Sequence, residues 1–527
     1  MDNNLIIKLL KKLSSNSAHN QEQFLRDKKI ICNQLHITPP SNATLLSVYR
    51  QLVENGQLRV SANINKWLIT RPVRSLSGVA VISVLSKPYA CPGKCLYCPS
   101  EPKMPKSYLS NEPAVMRAIS NSFDPYRQVQ ARLLALYLNG HPTDKMELIV
   151  LGGTWSAYPW SYRQWFIKRC FDAANTFQNK NKAARTLGQA QKTNETTDKR
   201  IIGLILETRP DHINELEIKR LRQLGCTRIQ LGVQALDNHI LKINQRGHTV
   251  QSVIQATRLL KETSFKIDYH FMPNLAGSTP KKDLIMFKKL FTDKNFRPDH
   301  LKIYPTVVNK YAELYRWWQK GKWHPYSDQQ LINLLVKMKS IVPYYVRINR
   351  LVRDIPGASI QAGNKITNLR QYLTVAMAKK NLSCHCIRCR EVKGQQIKPR
   401  QIKLYIEQYE ASGGQEYFIS LENKTRDQLY AFCRLRFNDQ QKNILPELTD
   451  CALIRELHTY GQLISLQTKK GETQHIGLGK RLMLAAEKIA QQKHFTKIAV
   501  IAGIGVRQYY QKLGYHLQGT YLIKNLK

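Results

Sequence analysis

Acidic side chains are scarce in this chain: its 527 residues include 37 Asp or Glu against 81 Lys or Arg, a formal charge of +44. An enzyme of small acidic metabolites has no need of such an excess. A polyanion partner does, because each phosphate neutralised by a cation releases counterions. The cations are spread along the chain rather than gathered in one tail, which points to a broad footprint, as on a folded RNA. Long apolar runs are missing too. None approaches the ~20 residues that a membrane-crossing helix requires, so no membrane partner is expected. The opening residues Met1-Asp-Asn-Asn-Leu-Ile-Ile-Lys lack a secretory signal pattern, and the expected location is cytoplasmic. Cysteines are few for a disulfide framework: there are 11, and the two tight groups of three fit metal sites in a reducing compartment. Hydrophobic residues make up 43%, enough for folded cores rather than disorder, and the length allows several domains.

The first cysteine group, Cys91-Pro-Gly-Lys-Cys-Leu-Tyr-Cys, has the spacing C-x3-C-x2-C. Three thiolates on one tight loop can hold three irons of a 4Fe-4S cubane and leave the fourth without a protein ligand. Spacing alone also allows zinc or a chance cluster. Context favours the cubane. Cys91, Cys95 and Cys98 follow the strand-like run from Gly78 to Ser86, Tyr97 supplies an aromatic wall, and no further cysteine occurs before Cys170. The pattern resembles the radical S-adenosylmethionine superfamily. There the open iron chelates the amino and carboxylate groups of S-adenosyl-L-methionine, and an electron donor is a necessary partner.

Four regions are expected: 1–75, 76–360, 361–400 and 401–527. The first is basic and helical, with Leu5, Ile6, Leu9, Leu10 and Leu13 on one face and Lys8, Lys11 and Lys12 beside it. Pro39-Pro40 breaks it, and it reads as a small tRNA-binding module or as packing helices. In the second, strands predicted near 79–85, 146–151, 201–207, 228–233, 266–271, 300–304 and 345–351 alternate with amphipathic helices. That pattern predicts parallel β/α units closing into a full or partial barrel, with chemistry at the C-terminal strand ends. Residues 177–200 are polar and read as a solvated insertion. The last region reads as a separate α/β domain.

Candidate site residues follow from strand ends. Gly152 and Gly153 end the second strand, where a backbone without side chains lets a ligand approach. Glu207 and Arg209 end the third, suited to a ribose hydroxyl and to a carboxylate or phosphate, or else to a local ion pair. Lys87 is a candidate anion contact at the mouth of the cluster loop. Gln230, Gln234, the run Gln245-Arg-Gly-His-Thr, His270 and Lys302-Ile-Tyr also fall at strand ends, though each singly reads as structural. In the last domain Gln474-His-Ile-Gly-Leu-Gly precedes a helix. Gln474, His475, Ile476, Gly477, Leu478 and Gly479 present backbone amides and a helix N-terminus to a pyrophosphate. This loop resembles the coenzyme A loop of the GNAT acetyltransferases. That resemblance makes Tyr509 and Tyr510 candidates for a place near a thioester sulfur. The second cysteine group, Cys384, Cys386 and Cys389, reads as a zinc staple at a domain junction, with a fourth ligand from elsewhere.

Together these parts resemble the Elongator protein 3 family, the catalytic subunit of Elongator. The runs that carry the resemblance include Cys91 to Pro99, Glu112-Pro-Ala-Val-Met-Arg-Ala, Leu151-Gly-Gly-Thr, Glu207-Thr-Arg-Pro-Asp, Arg246-Gly-His-Thr, Phe296-Arg-Pro-Asp, Lys302-Ile-Tyr-Pro-Thr, Ile454-Arg-Glu-Leu-His and Gln474 to Gly479. The resemblance implies a radical SAM partial barrel of TIM-like type fused to a GNAT acetyltransferase domain. It also implies a tRNA uridine carboxymethyltransferase that works on the wobble uridine in the anticodon stem-loop. Acetyl-CoA would supply the acetyl group, a 5′-deoxyadenosyl radical would take hydrogen from its methyl, and addition at carbon 5 followed by hydrolysis would give 5-carboxymethyluridine. The cysteine motif is the short form of bacterial and archaeal relatives, many of which work without other Elongator subunits. A homodimer stays open. The rival readings are a protein lysine acetyltransferase with a structural iron–sulfur domain and a non-enzymatic RNA scaffold, which the intact motifs disfavour.

Overall fold

The computed structural model describes residues 3–16, 18–70, 78–179, 182–392, 401–439, 443–460 and 477–526. Four helices open the chain: Asn3–Ser15, Gln21–Gln34, Asn42–Glu54 and Ala62–Leu68. Asn20, Ser41 and Ser61 each accept a backbone N–H three residues on, which satisfies a helix start that would otherwise be left open. Ile6, Leu9, Leu10 and Leu13 bury one stripe of the first helix against Phe24, Leu45, Tyr49 and Leu52. Leu5 is half-buried and Lys8, Lys11 and Lys12 stay exposed, so the helical periodicity read from the sequence holds. This bundle has a small core of its own.

Seven parallel strands follow in sequential order: β1 Ala80–Leu85, β2 Lys145–Leu151, β3 Arg200–Thr208, β4 Arg228–Gln234, β5 Lys266–Phe271, β6 His300–Ile303 and β7 Arg347–Arg350. Among the described residues β7 does not pair with β1, so the barrel is partial. β4 is buried along its whole length, as a parallel strand covered on both faces must be. Residues 177–200 depart from the solvated insertion expected. The helix Leu187–Asn194 packs Ala190 and Asn194 out of solvent. Asn194 Nδ2 donates to Asn175 Oδ1 at 2.8 Å and Asn194 Oδ1 accepts from Ile201 N at 2.8 Å. A polar composition hid this packing because buried amides replace apolar contacts there.

The C-terminal sheet runs β8 Lys403–Glu410, β9 Gly414–Glu422, β10 Leu429–Asn438, β11 Cys451–Thr459, β12 Lys497–Val500, β13 His516–Gln518 and β14 Tyr521–Asn525, in the order β13-β14-β12-β11-β10-β9-β8. Among the described residues its only parallel strand pair is β11 with β12, and β12 reaches just Cys451 to Ile454. Among the described residues the far half of β11 therefore has one edge free of strand pairing. The helix Leu478–Gln492 packs on this sheet.

One apolar core runs through both sheets. At the seam, charges replace it. Asp299 of the barrel and Glu416 of β9 flank Arg455 of β11, whose guanidinium donates to Asp299 Oδ2 at 2.5 Å and to Glu416 Oε2 at 3.0 Å. Lys261 Nζ stands 3.3 Å from Glu416 and Arg436 3.1 Å. All five side chains are fully buried. Removing one partner from such a set leaves an uncompensated charge and costs about 3–5 kcal/mol.

Candidate active site

The cysteine loop leaves β1 at its C-terminal end. Cys91 Sγ lies 3.7 Å from Thr154 Oγ1, just past the glycine pair that ends β2. Gly152 and Gly153 have φ of +132° and +92°, and a side chain on Gly152 would meet Ser86 Oγ at 1.9 Å. The chain can turn past β1 there only as glycine. Arg246 Nη1 donates to Cys95 Sγ at 3.4 Å. Arg209 forms a two-pronged pair with Asp211 at 2.9 and 2.7 Å, but it is buried rather than on the surface. Its Nη1 would stand 2.5 Å from a side chain on Gly93, so the guanidinium lies against the cysteine loop. Burial, and then the charge of Cys95, push the Cys98 thiol up to about 12. A thiol so placed ionises only when a cation compensates it.

The residues present fit an iron–sulfur cluster. All three thiols are free of disulfides. Two guanidiniums face them, and Arg246 Nε and Arg209 Nη1 are buried with no hydrogen-bond partner among the described residues, while the buried Tyr97 hydroxyl lies against Cys95. Donors left open around a trio of thiols suit an anionic group between them.

From Tyr97 a cavity of about 1390 Å³ runs along the inner faces of the barrel strands to the C-terminal sheet. Glu207, Gln230, His270, Lys302 and Tyr304 line its barrel half. Tyr108 Oη donates to Glu207 Oε2 at 3.0 Å, and Lys302 Nζ donates to Gln230 Oε1 at 2.5 Å. Burial lowers Lys302 to about 8, against the pull of Asp268 and Glu207. Burial and then the Lys302 ammonium hold His270 well below its ordinary value, so its imidazole is neutral. Gln234 is held at φ +70° with Oε1 buried and unpartnered, backbone strain of the sort that gathers at functional sites.

Glu456, His458, Gly477 to Lys480, Tyr509 and Tyr510 line the other half. Gly477 caps the helix Leu478–Gln492 at φ +56°. A side chain on Gly479 would meet Tyr509 Oη at 2.7 Å and Thr459 Cγ2 at 3.7 Å. The helix start, the tyrosine segment and the free edge of β11 thus converge. Tyr510 is buried and stacks edge-on to the half-exposed Tyr509 at 5.1 Å. Gln474, His475 and Ile476 lie outside the described residues.

Among the described residues one group of three metal-ligating side chains has all its ligand atoms within 4.8 Å of one another: Cys384, Cys386 and Cys389. Cys384 and Cys389 hydrogen-bond to the Cys386 thiol and hold it well below its ordinary value, while Cys384 is raised. Three thiols this close can serve one divalent ion once they are deprotonated. The His385 ring stacks on Tyr344 at 4.8 Å, away from a ligand role.

The structure brings the glycine pair, Arg209 and the first cysteine trio together. Glu207, Gly477 to Gly479, Tyr509 and Tyr510 meet in the cavity. Lys87 is outside it: its side chain is exposed and its ammonium rests over the Tyr162 ring at 4.9 Å. Sequence reasoning missed the contact of Arg246 with Cys95, the chain from Asn349 Nδ2 to Asp268 Oδ2 at 2.7 Å, and His458. The run Arg246-Gly-His-Thr was the available signal for the first. The second joins two barrel strands, β5 and β7, distant in sequence, and His458 closes the run Ile454-Arg-Glu-Leu-His, which gave it no role on its own.

The partial barrel with its cysteine loop defines a radical S-adenosylmethionine protein. The Radical SAM superfamily model matches residues 85–286 and the Radical_SAM C-terminal domain model matches residues 298–379. A "tRNA uridine(34) acetyltransferase" of Methanocaldococcus infernus is 46% identical, over 86% of this chain and 87% of that protein. One of the same name from Methanocaldococcus jannaschii is 42% identical over 95% of this chain and 93% of that protein. "Elongator complex protein 3" of Dictyostelium discoideum is 38% identical over 87% of this chain and 84% of that protein. The solved structure of the archaeal Methanocaldococcus infernus Elp3 with an N-terminal deletion superposes with a TM-score of 0.74 at 42% identity, covering 86% of this chain and all of that one. The chain belongs to the family of tRNA uridine(34) acetyltransferases and Elongator protein 3.

Proposed function

We propose that this chain modifies the wobble uridine of tRNA, making 5-carboxymethyluridine with acetyl-CoA as the carbon source. The observation that carries the reading is the single cavity that joins Tyr97, beside the cysteine loop, to Gly477–Gly479 and Tyr509 on the C-terminal sheet. Relatives named for tRNA uridine(34) support the substrate. The charge of +44 supports a nucleic-acid partner.

In this reading Cys91, Cys95 and Cys98 hold the cluster. The glycine pair and Glu207 receive the amino and ribose groups of S-adenosylmethionine, and Arg209 and Arg246 balance negative charge around it. Bound together, cluster and cofactor supply a 5′-deoxyadenosyl radical, which is needed because neither the acetyl methyl nor carbon 5 of uracil is reactive at neutral pH. Gln474 to Gly479 receive the coenzyme A pyrophosphate at the helix start. The free edge of β11 offers backbone groups to the pantetheine arm, and Tyr509 and Tyr510 stand by the thioester. Holding both reactants in one enclosed space replaces an encounter with a fixed approach. Cys384, Cys386 and Cys389 hold zinc, and the N-terminal helices add to the tRNA footprint. The target base must leave its stack to enter. An electron donor completes the system, and the expected location is the cytoplasm. The four regions 1–75, 76–360, 361–400 and 401–527 correspond to these roles.

The test is anaerobic reconstitution with iron and sulfide, followed by mass spectrometry of nucleosides from tRNA incubated with acetyl-CoA and S-adenosylmethionine. The parent protein yields carboxymethyluridine. Cys91→Ala binds tRNA and yields none. A lysine acetyltransferase predicts that Cys91→Ala keeps full activity, and a normal product level from that variant ends the proposal.

A further inference from the structure

The reaction proposed above ends in hydrolysis of a thioester, and the cavity holds a side chain placed for it. His458 lies on β11 beyond Ile454, the last residue paired to β12. The residues around it on that strand define two faces. Thr459 packs toward Gly479 at the helix start. Glu456 and Tyr460 reach the barrel, toward His300 at 3.6 Å and Arg347 at 2.9 Å. His458 alternates with Thr459 and so shares the barrel-facing side, where it lines the cavity. Its ring is fixed between Phe432, stacked at 5.9 Å, and Tyr460 at 4.4 Å. Nε2 is buried and has no hydrogen-bond partner among the described residues. The ring is thus held in place with one nitrogen uncommitted.

We propose that His458 is the general base that activates water for hydrolysis of the thioester in this cavity. The imidazole takes a proton from water as the water oxygen bonds to the thioester carbonyl carbon. The carbon–sulfur bond then breaks, and the departing thiolate takes the proton from the imidazolium. The products are a carboxylate, a free thiol and one released proton, with no change of oxidation state. This inference rests on the proposed function, which brings the thioester into the cavity. Burial lowers His458 to about 4, with Glu456 opposing and Arg347 assisting, so at neutral pH the ring is free to accept. Glu456, Glu391 and Glu147 all favour the cation that results.

The experiment compares the parent with His458→Gln and His458→Ala, reconstituted with cluster and supplied with acetyl-CoA, S-adenosylmethionine and tRNA. Free thiol, the mass of the modified tRNA and acetyl-CoA affinity by calorimetry are measured. In both variants thiol release falls about 10²–10⁴-fold, the range of a positioned base. The uridine accumulates as its coenzyme A thioester, acetyl-CoA affinity stays within about twofold, and added imidazole restores thiol release to His458→Ala. Thiol release in both variants within about threefold of the parent overturns the assignment. Loss of acetyl-CoA affinity in both also overturns it, since His458 is then a packing residue. Carboxymethyluridine from the parent with unchanged variants removes the base alone. A parent that makes no carboxymethyluridine removes the proposed function and this inference with it.

Discussion

The two cysteine trios use the same side chain in nearly the same spacing, yet the chain builds different sites with them. Cys384, Cys386 and Cys389 draw together until all their ligand atoms lie within 4.8 Å, close enough for one ion. Cys91, Cys95 and Cys98 are spread along a loop and ringed by Arg246 and Arg209, with the cavity beginning at Tyr97. The neighbours decide the chemistry: cations and an opening beside the first trio, a short helix and a stacked His385 beside the second. Three cysteines in a row therefore say little until the charges around them are known.

The comparison breaks most directly if the trios exchange phenotypes. Cys91→Ala is expected to abolish 5′-deoxyadenosine formation and the modified uridine while leaving the thermal midpoint within about 2 °C, since no structural metal is lost. Chromatography and a melting scan check this. Cys386→Ser is expected to act the other way, as loss of a tightly held ion removes about 4 kcal/mol of linkage and lowers Tm by about 4 °C. Metal analysis with a melting scan tests it, and an unchanged Tm breaks the distinction.

A smaller effect comes from the seam that the second trio borders. Arg455→Met leaves Asp299 and Glu416 short of a partner, for a loss of about 3 kcal/mol in denaturant unfolding. The folded state holds Asp299 and Glu416 below their ordinary values, chiefly through the Arg455 charge that overcomes burial. A depressed folded value means that the stabilisation is complete above about pH 4 and is lost as pH falls further. The variant is expected to unfold at higher pH than the parent in an acid titration, and coincident acid transitions refute the network's role.

The smallest effect sharpens the cavity's far end. Gly477→Glu forces a carboxylate and a left-handed backbone on the helix cap. It is expected to weaken acetyl-CoA by about tenfold, from strain of about 1 kcal/mol together with charge repulsion, and to leave tRNA affinity within about twofold. Calorimetry with each ligand decides.

Much of this was legible in the sequence. Among the described residues the seven barrel strands lie close to the runs where alternation and apolar content place them, because the pattern of strand and helix repeats along the chain. The glycine pair and both cysteine groups were legible because their spacing is local. Arg246 on Cys95 and His458 in the cavity were not, because their meaning comes from packing between segments 100 or more residues apart. Lys87 shows what spacing alone leaves open. Four residues from Cys91 along the chain, it turns outward onto Tyr162, since sequence distance does not set side-chain direction on a loop.

Arg434 and Arg455 are buried on the C-terminal sheet, and Asp299, which pairs with both, belongs to the barrel. A gene divided ahead of β8 would leave Arg434 and Arg455 with only Glu456 and Glu416 of their own sheet, and Asp299 with only Lys261. Neither piece would last alone, and mixing the two should regenerate a noncovalent whole. Inheritance of this enzyme is thus tied to an uninterrupted reading frame by electrostatics as much as by catalysis.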